Sequence, residues 1–389
     1  MSEITGPDNV VVIKVIGVGG AGNNAVNRMI EAGTKNVDFI AVNTDKPALS
    51  DSRADEKLQI GAKLTKGQGA GSDPEIGKRA AEENRNEIAK ILEGTDMLFV
   101  ACGMGGGTGT GAAPIIAEIA QEMGILTVGV VTTPFKHEGG KRMRRAEEGV
   151  LIMSDKVDAM FVIPNERIKE VAEQKVTLLN AFKLADEVLY QSINSISDLV
   201  KRTDYVNLDF ADVTTIMKNA GRSHMGVGRA AGKDRAEVAV GSAIQSKLME
   251  TSIDGAQAIL INFMGSSDMG LEEVNEASLM VEQLAHPECN IIFGAGIDET
   301  LGDEIIITIV ATQFDDSYGM RDVAPPQPLR PVINPSHRQY EAPAYATVAP
   351  EPEPMPEPVA PPPPPVQPPE PEERSPYDDI LELFTKKPK

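Results

Sequence analysis

The chain has 389 residues, 41% of them hydrophobic, and a net charge of -21 at pH 7. This is enough apolar material for two domains, and the acidity argues against a nucleic-acid-binding surface, which requires clustered lysine and arginine. Two distant cysteines and four scattered histidines indicate a reducing compartment without disulfides or a metal-ligand cluster. The start MSEITGPDN predicts no signal peptide, and no run reaches the ~18 apolar residues of a membrane span. We therefore expect a cytoplasmic protein that neither binds nucleic acid nor inserts into a membrane.

Apolar strands alternate with helices in the first half of the chain. The predicted strands are 10–18, 37–43, 96–101, 125–133 and 159–165, and the predicted helices are 23–33, 74–93, 110–123 and one through the 140s. Continuous apolar strands between helices are typical of a parallel, doubly wound sheet with both faces covered. After a flexible N-terminus at 1–9, we expect a Rossmann-like α/β domain at 10–176.

The second half begins with a long helix, predicted at 177–201, in which apolar residues recur along one face. Further strands are predicted in AQAILINFMG, CNIIFGAGI and EIIITIVATQF, with helices near 235–249 and 271–285. This pattern favours a smaller mixed α/β domain at 202–317, joined to the first domain by the long helix.

Composition changes sharply after residue 317. Most of the 28 prolines lie from Pro325 onward, in a stretch with few apolar side chains that cannot offset the entropy lost on folding. We expect a disordered linker at 318–374. The last stretch, 375–389, is apolar again, with Ile380, Leu383 and Phe384 at helical spacing. It predicts a peptide that docks in a partner's groove, and the alternative is a tail that packs back on its own domain.

Two glycine-rich segments follow predicted strands and precede predicted helices. GVGGAGNNA (17–25) has GxGxxG spacing, which alone would favour a dinucleotide site, but Asn43 stands where the second strand of such a site usually ends in an acid. GMGGGTGTGAAP (103–114) has no place in a dinucleotide fold. Loops of this kind meet at one sheet edge, where helix N-termini bind phosphate. Together with the Thr108 and Thr110 hydroxyls they predict a polyphosphate site without lysine; tight packing of the glycines is the alternative.

The segments KVIGVGGAGNNAVNRM, AVNTD, GMGGGTGTGAAP and NLDFADV resemble the tubulin/FtsZ family of GTPases, and within it the bacterial cell-division branch. The resemblance covers residues 10–317. It implies the tubulin/FtsZ fold, GTP and GDP as ligands, and Mg²⁺ as the accompanying metal, with no particular side chain assigned as its ligand.

The resemblance also implies a set of nucleotide contacts. Glu138 resembles the ribose contact, Arg142 the phosphate-side cation and Asn165 a base contact. Phe182 resembles the stacking residue, although a core aromatic is the alternative, and Asp186 resembles the guanine reader. A carboxylate accepts from both guanine N1–H and the exocyclic amine, whereas adenine offers no N1 donor. The remaining implied contacts are Gly20, Ala21, Gly22, Asn23, Asn24, Gly103, Gly105, Gly106, Gly107, Thr108, Gly109 and Thr132.

A second chemical site is predicted in NLDFADV. Asp209 and Asp212 are three residues apart and lie near one face at a helix start, where an Asp is otherwise often only a cap. The resemblance implies that this loop, with Asn207, enters the neighbouring subunit's nucleotide pocket and helps position water and metal at the γ-phosphate. Head-to-tail contacts that do not close give filaments. The implied protein is an assembly-activated GTPase of the cytokinetic ring at mid-cell.

The implied partners are further copies of the chain, together with division proteins and a membrane-tethering adaptor. The adaptor would bind through Asp379, Ile380, Leu383 and Phe384, although DDILELF lacks the proline usual in such peptides, which leaves a fully helical docking mode open. Two other classes of protein share part of this pattern. An NAD-dependent oxidoreductase predicts neither GGGTGTG nor NLDFADV, and a non-hydrolysing scaffold leaves the acids of NLDFADV without a role.

Overall fold

The computed structural model describes residues 11–35, 37–168, 177–201, 208–246 and 252–314. All of them belong to one compact unit. Asn207, the predicted linker and the terminal peptide with Asp379, Ile380, Leu383 and Phe384 lie outside the described residues. The domain boundaries and the disorder predicted for the linker stay predictions.

The predicted parallel sheet is confirmed and has seven strands within the described residues. They are β1 (Ile13–Val18), β2 (Asp38–Asn43), β3 (Glu56–Gln59), β4 (Met97–Gly103), β5 (Leu126–Thr133), β6 (Ala159–Pro164) and β7 (Gly221–Arg222). Their order is β3-β2-β1-β4-β5-β6-β7, and every pair is parallel. Alternate residues point to opposite faces, so Val15 and Ile16 enter two different apolar clusters. Neither β3 nor the two-residue β7 is predicted from the sequence, because β3 has charged and half-exposed side chains and β7 is too short for a pattern.

Helices cover both faces of this sheet. They are α1 (Gly19–Glu31), α2 (Lys46–Ser50), α3 (Ala62–Thr65), α4 (Pro74–Glu83), α5 (Arg85–Leu92), α6 (Thr108–Glu122) and α7 (Gly140–Ser154). The prediction of a single helix at 74–93 is wrong, because the helical conformation is interrupted at Asn84, between α4 and α5. Its backbone leaves the helical region, at φ -111° and ψ 25°, and its side-chain oxygen accepts the N–H of Gly61 at 2.8 Å.

The long helix α8 (Leu178–Lys201) packs beside the sheet and runs along the direction of the strands, between their carboxyl and amino ends. Near its start, Phe182 contacts Phe135, which follows the carboxyl end of β5. Further along, Asn194 accepts a hydrogen bond of 3.3 Å from Thr34, which lies beyond the far end of α1. The helix therefore starts at the carboxyl edge of the strands and leads towards their amino edge. Leu189, Ile193 and Ile196 bury its apolar face in the core.

The second half contains the predicted smaller mixed sheet. Its elements are α9 (Phe210–Met217), β8 (His224–Ala231), α10 (Arg235–Ile244), β9 (Ala256–Gly265), α11 (Leu271–Glu282), β10 (Asn290–Ile297) and β11 (Glu304–Phe314). The strand order is β10-β9-β11-β8, with β10 parallel to β9 and β11 antiparallel to both its neighbours. Strand β8 was not predicted, because its glycines mask the apolar pattern. A Cβ on Gly226 or Gly228 would lie 1.8 Å from a carbonyl oxygen of α10, so these glycines let the helix lie directly on the strand.

Within the described part of the chain, none of the helices has the length and apolar composition needed to cross a bilayer. In the same residues, no three His, Cys, Asp or Glu side chains cluster closely enough to hold a metal ion.

Candidate functional site

The two predicted glycine loops meet at the carboxyl edge of the seven-stranded sheet. The first connects β1 directly to α1, and the second connects β4 to α6. They touch each other, since a Cβ on Gly19 would lie 3.0 Å from the backbone nitrogen of Gly109. Two helix N-termini, each with unpaired N–H groups and a positive dipole end, are thereby placed side by side. This is the arrangement that favours a bound polyphosphate.

The glycines of these loops divide into two kinds. A Cβ on Gly17 would lie 2.4 Å from the carbonyl oxygen of Gly22, and one on Gly22 would lie 2.2 Å from that of Ala101. At these positions glycine permits tight packing. By contrast, a Cβ on Gly20 or Gly106 would meet nothing within 4 Å. Packing therefore does not explain these two glycines, and a ligand would approach bare backbone there.

The first loop is held in shape by Asn23, which is only 3% exposed. With its amide nitrogen facing the loop, it donates to the carbonyl oxygens of Gly17 at 2.7 Å and Gly19 at 3.2 Å, and its oxygen accepts from the Asn43 side chain at 3.1 Å. Asn43, which sits where a dinucleotide site would have an acid, thus braces the loop. The next residue, Asn24, is exposed.

The threonines of the second loop have different surroundings. The Thr110 hydroxyl is buried and accepts the backbone N–H of Gly105 at 2.8 Å, so it stabilises the loop from within. The Thr108 hydroxyl, at the first position of α6, lies 2.7 Å from that of Thr44 after β2. Thr132 is buried beneath the loop, and its carbonyl oxygen accepts from Met104 at 2.9 Å.

A third glycine-rich loop, not predicted from the sequence, closes the same edge. Residues 66–72, KGQGAGS, contain five left-handed positions: Lys66, Gly67, Gly69, Gly71 and Ser72. The loop packs on the second one, because a Cβ on Gly107 would lie 2.8 Å from the Cβ of Ala70. The sequence does contain a signal for this loop, three glycines at alternate positions, but no predicted strand precedes them.

Backbone and side-chain hydrogen bonds fasten this third loop to its neighbours. The N–H of Lys46 donates to the carbonyl oxygen of Gly67 at 3.0 Å, and that of Gly69 to the carbonyl oxygen of Thr44 at 3.3 Å. From the other side, the Arg145 guanidinium on α7 donates to the carbonyl oxygen of Ser72 at 2.7 Å. The loop is therefore anchored both to the β2 end and to α7.

Glu138 and Arg142 form an ion pair of 2.9 Å beside the second loop. The Glu138 side chain is 9% exposed and also accepts the N–H of Phe135 at 2.8 Å, whereas that of Arg142 is 51% exposed. The first turn of α7 approaches closely, since a Cβ on Gly105 would lie 2.7 Å from the carbonyl oxygen of Arg142. The Arg142 guanidinium of this ion pair is therefore largely in solvent and lies next to the glycine loops.

Three further predicted residues have side chains that suit binding of a flat heterocycle. Phe182 is 39% exposed and meets Phe135 edge-on, with ring centroids 5.4 Å apart. Asn165 is buried, and its side-chain oxygen has no hydrogen-bond partner among the described residues. Burial raises the pKa of Asp186 to about 6, and the nearby Arg28 lowers it in part. A base with N–H donors would satisfy a buried oxygen that otherwise costs about 1–3 kcal/mol.

The structure does not bring Asp209 and Asp212 to these loops. They form a reciprocal cap at the start of α9, in which the N–H of Asp212 donates to the Asp209 carboxylate at 2.7 Å. The other end of α9 lies at the amino edge of the sheet, where Asp158, just before β6, accepts from Asn219 at 3.3 Å and from Thr127 at 2.9 Å. The glycine loops occupy the opposite edge.

The chain is similar to several known proteins. Residues 12–173 match the GTPase domain of the tubulin/FtsZ family, and residues 221–315 match the C-terminal domain of the FtsZ family. An FtsZ dimer from M. jannaschii is 42% identical and covers 79% of this chain and 89% of its own, with a TM-score of 0.74. A mutant FtsZ from the same organism is 43% identical, covers 78% and 91%, and has a TM-score of 0.73. CetZ2 from Haloferax volcanii, solved as a GTPγS-bound protofilament, shares the fold at 21% identity, with coverage of 77% and 92% and a TM-score of 0.67.

Proposed function

Since this chain belongs to the FtsZ family and is a GTPase with the tubulin/FtsZ fold, we propose that it polymerises head to tail into filaments whose assembly switches on GTP hydrolysis. The filaments form the bacterial cytokinetic ring at mid-cell, in the cytoplasm. The structures named above include a dimer of one relative, the M. jannaschii FtsZ, which supports self-association.

In this proposal GTP lies along the carboxyl edge of the sheet. The open backbone at Gly20 and Gly106 faces the phosphates, and the N-termini of α1 and α6 complement their charge. Phe182 stacks on the base and Asp186 accepts its two N–H donors. The buried oxygen of Asn165 takes a further donor from the nucleotide.

The separation of the acids from the glycine loops carries the split-site part of the proposal. Asp186 and Lys201 are about four turns apart on α8, or roughly 22 Å along its axis, and Asp209 lies beyond Lys201 in the chain. A carboxylate at the amino edge does not reach a phosphate held at the carboxyl edge of the same subunit. It does reach one presented by the next subunit in a head-to-tail filament, so Asp209, Asp212 and Asn207 complete the neighbour's site and orient the attacking water.

Magnesium fits this arrangement as a companion of the nucleotide. Mg²⁺ is usually held by substrate phosphates, waters and one or two carboxylates, so it needs no protein cage. The absence of a three-ligand cluster from the described residues is compatible with that mode. When bound, the ion would neutralise charge on the phosphates, while Asp209 or Asp212 is the carboxylate available to it at the subunit boundary.

The terminal peptide is proposed to bind division proteins and a membrane-tethering adaptor. Ile380, Leu383 and Phe384 supply an apolar face, and Asp379 precedes it. The proline-rich stretch between this peptide and the folded part gives it reach.

The experiment that tests the split site is phosphate release from GTP, with magnesium, against protein concentration. We expect release near zero up to a threshold concentration and a linear rise above it, because the site is built only between subunits. A line through the origin would mean that each chain carries a complete site and would overturn the proposal for Asp209 and Asp212. GTP binding without release at any concentration would contradict hydrolysis itself.

A further inference from the structure

Helix α9 carries Asp209 and Asp212 at its start and ends between the two sheets. It has eight residues and is therefore about 12 Å long. Its apolar side chains are fully buried in a cluster to which both sheets contribute: Val213, Ile216 and Met217. The first turn of this short helix thus carries the acids, and its last turn is enclosed by the fold.

Strand β11 holds the last turn of α9 from the smaller sheet. Thr312 is fully buried, and its hydroxyl donates to the carbonyl oxygen of Ile216 at 2.8 Å and lies 3.3 Å from that of Ala258 on β9. The next side chain, Gln313, donates to the carbonyl oxygen of Thr215 at 3.4 Å. The last carbonyl groups of a helix have no partner within the helix. Side chains of β11 therefore satisfy two of these groups and fix the end of α9 to the smaller sheet.

Asp158 holds the turn after α9 from the seven-stranded sheet. Its carboxylate accepts from the N–H groups of Asn219 and Thr127, and its carbonyl oxygen accepts the N–H of Gly221 at 2.9 Å. Its own N–H donates to the carbonyl oxygen of Thr127 at 2.8 Å. Asn219 holds a left-handed backbone conformation, with φ of 53°, which persists in such a residue only where neighbouring groups fix it. Asp158 therefore fastens the turn that follows α9 to the start of β5.

A displacement of the last turn of α9 would move the acids. In an α-helix the N–H of residue 216 donates to the carbonyl oxygen of residue 212, so Ile216 lies one turn from Asp212. A reacting group that is misplaced by about 1 Å can cost on the order of 100-fold in rate. The place of the acids therefore depends on what holds the other end of their helix.

We propose that Thr312 and Asp158 are positioning residues for GTP hydrolysis in the neighbouring subunit. They hold α9 between the two sheets and so fix where Asp209 and Asp212 project from the subunit. This inference rests on the proposed function, in which the two acids complete the neighbour's site. The nucleotide contacts proposed above use neither Thr312 nor Asp158.

The test compares Thr312→Val with Thr312→Ser in the full-length chain. Val keeps the buried volume and removes the hydroxyl, whereas Ser keeps the hydroxyl and removes a methyl group, so a hydrogen bond and simple packing predict opposite orders. We expect Val to lower kcat for phosphate release above the assembly threshold by about fivefold or more, with KM for GTP and the threshold changed by less than about twofold. Ser should keep kcat within about twofold of the unmodified chain. Amide exchange of residues 210–217 in dilute, GDP-bound protein should be about fivefold faster in the Val variant alone.

Asp158→Asn is the second variant, and it removes no buried apolar group. The amide nitrogen of Asn faces one of the two backbone N–H donors, so one hydrogen bond is lost. We expect the same fall in kcat without a change in KM. Asp155→Asn is the matched control, because it makes the same change three residues earlier at an exposed position, and it should leave kcat unchanged.

A lower kcat in Thr312→Ser than in Thr312→Val would mean that this side chain acts through packing and would overturn the proposal. Unchanged kcat in both Thr312→Val and Asp158→Asn, or a raised KM or threshold at unchanged kcat, would overturn it as well. Asp212→Asn in the same assay separates this failure from a failure of the proposed function. Normal turnover in Asp212→Asn contradicts the split site itself, whereas slow turnover in that variant alone contradicts only the positioning role.

Discussion

The backbone N–H of Asp212 donates to the carboxylate of Asp209 at 2.7 Å, and the N–H of Asp209 faces the carboxylate of Asp212 at 3.4 Å. The two acids that we assign to the neighbouring subunit's nucleotide therefore also cap their own helix. A loss of activity on removing either acid has two sources, and variants must separate the charge from the cap.

Asp212→Asn and Asp212→Ala together make this separation. Asn loses the charge but keeps an oxygen that accepts from the N–H of Asp209, whereas Ala also removes this reciprocal bond of 3.4 Å. The 2.7 Å bond from the backbone N–H of residue 212 to the Asp209 carboxylate persists in both variants. We expect both variants to bind GTP and to sediment as filaments, with phosphate release above the assembly threshold reduced by about tenfold or more. Thermal unfolding should show at most a small further loss of stability in the Ala variant, because the Asp209 cap keeps its backbone donor. Unchanged turnover in the Asn variant contradicts a catalytic charge at Asp212.

Nucleotide affinity should depend on pH through Asp186. Its pKa in the free protein is raised to about 6 by burial, and two N–H donors from guanine stabilise the charged form, so binding lowers that pKa. Affinity is then full above about pH 7 and falls as the pH drops through 6, by up to tenfold per unit. Isothermal titration of GDP from pH 5 to 8 measures this directly. Affinity that rises on acidification would contradict the role of Asp186.

Asp186→Asn is the control for that pH series, because the nucleotide phosphates also titrate near pH 6. The Asn variant should keep only the phosphate-dependent part of the slope. It should also lose affinity for GDP, by about tenfold or more, and gain affinity for the xanthine nucleotide, whose C2 carbonyl accepts the amide N–H that replaces a carboxylate oxygen. Equal loss for guanine and xanthine nucleotides would mean that Asp186 only maintains the fold.

The two kinds of loop glycine predict opposite phenotypes. Gly22→Ala places a methyl 2.2 Å from the carbonyl oxygen of Ala101, so we expect a loss of about 1–3 kcal/mol in unfolding free energy. Gly106→Ala meets nothing within 4 Å and should leave stability within about 0.5 kcal/mol, while its methyl weakens GTP binding. Thermal melts and competition with a fluorescent GTP analogue measure the two effects. Equal destabilisation, or unchanged affinity of the Gly106 variant, contradicts the assignment.

The features that were predicted correctly from the sequence, the sheet and two glycine loops, are those that depend on local patterns. Buried strands such as β4 and β5 are continuous apolar runs, and the glycines at 17–25 and 103–114 follow such runs directly, so both the sheet and the two loops were predicted. The loop at 66–72 was missed because it follows the four-residue helix α3, and the strand before that helix, β3, has side chains with no apolar pattern. The packing roles of Gly22 and Thr110 depend on Ala101 and Gly105, contacts that only the folded chain defines.

The third loop leads to the last prediction, on Arg145. Its guanidinium donates to the carbonyl oxygen of Ser72 at 2.7 Å, and Ser72 holds a left-handed backbone conformation, with φ of 61°. Such a conformation is unfavourable for a serine and persists because neighbouring groups fix it. A charge-assisted hydrogen bond contributes at most about 1.5–3 kcal/mol, and less at this partly exposed site. Arg145 therefore acts as a positioning residue for the loop at 66–72.

Arg145→Gln shortens the side chain and removes its charge, and Arg144→Gln makes the same change one residue earlier, at an exposed position. We expect the first variant alone to exchange the amide hydrogens of residues 66–72 about fivefold faster. Its KM for GTP should rise several-fold, because the loop must be ordered each time the phosphates bind, while kcat at saturation changes little. A purely electrostatic effect of a lost cation would move both variants equally and would vanish at high salt. Faster exchange restricted to the Arg145 variant, persisting at high salt, distinguishes an anchored loop from a general change in surface charge.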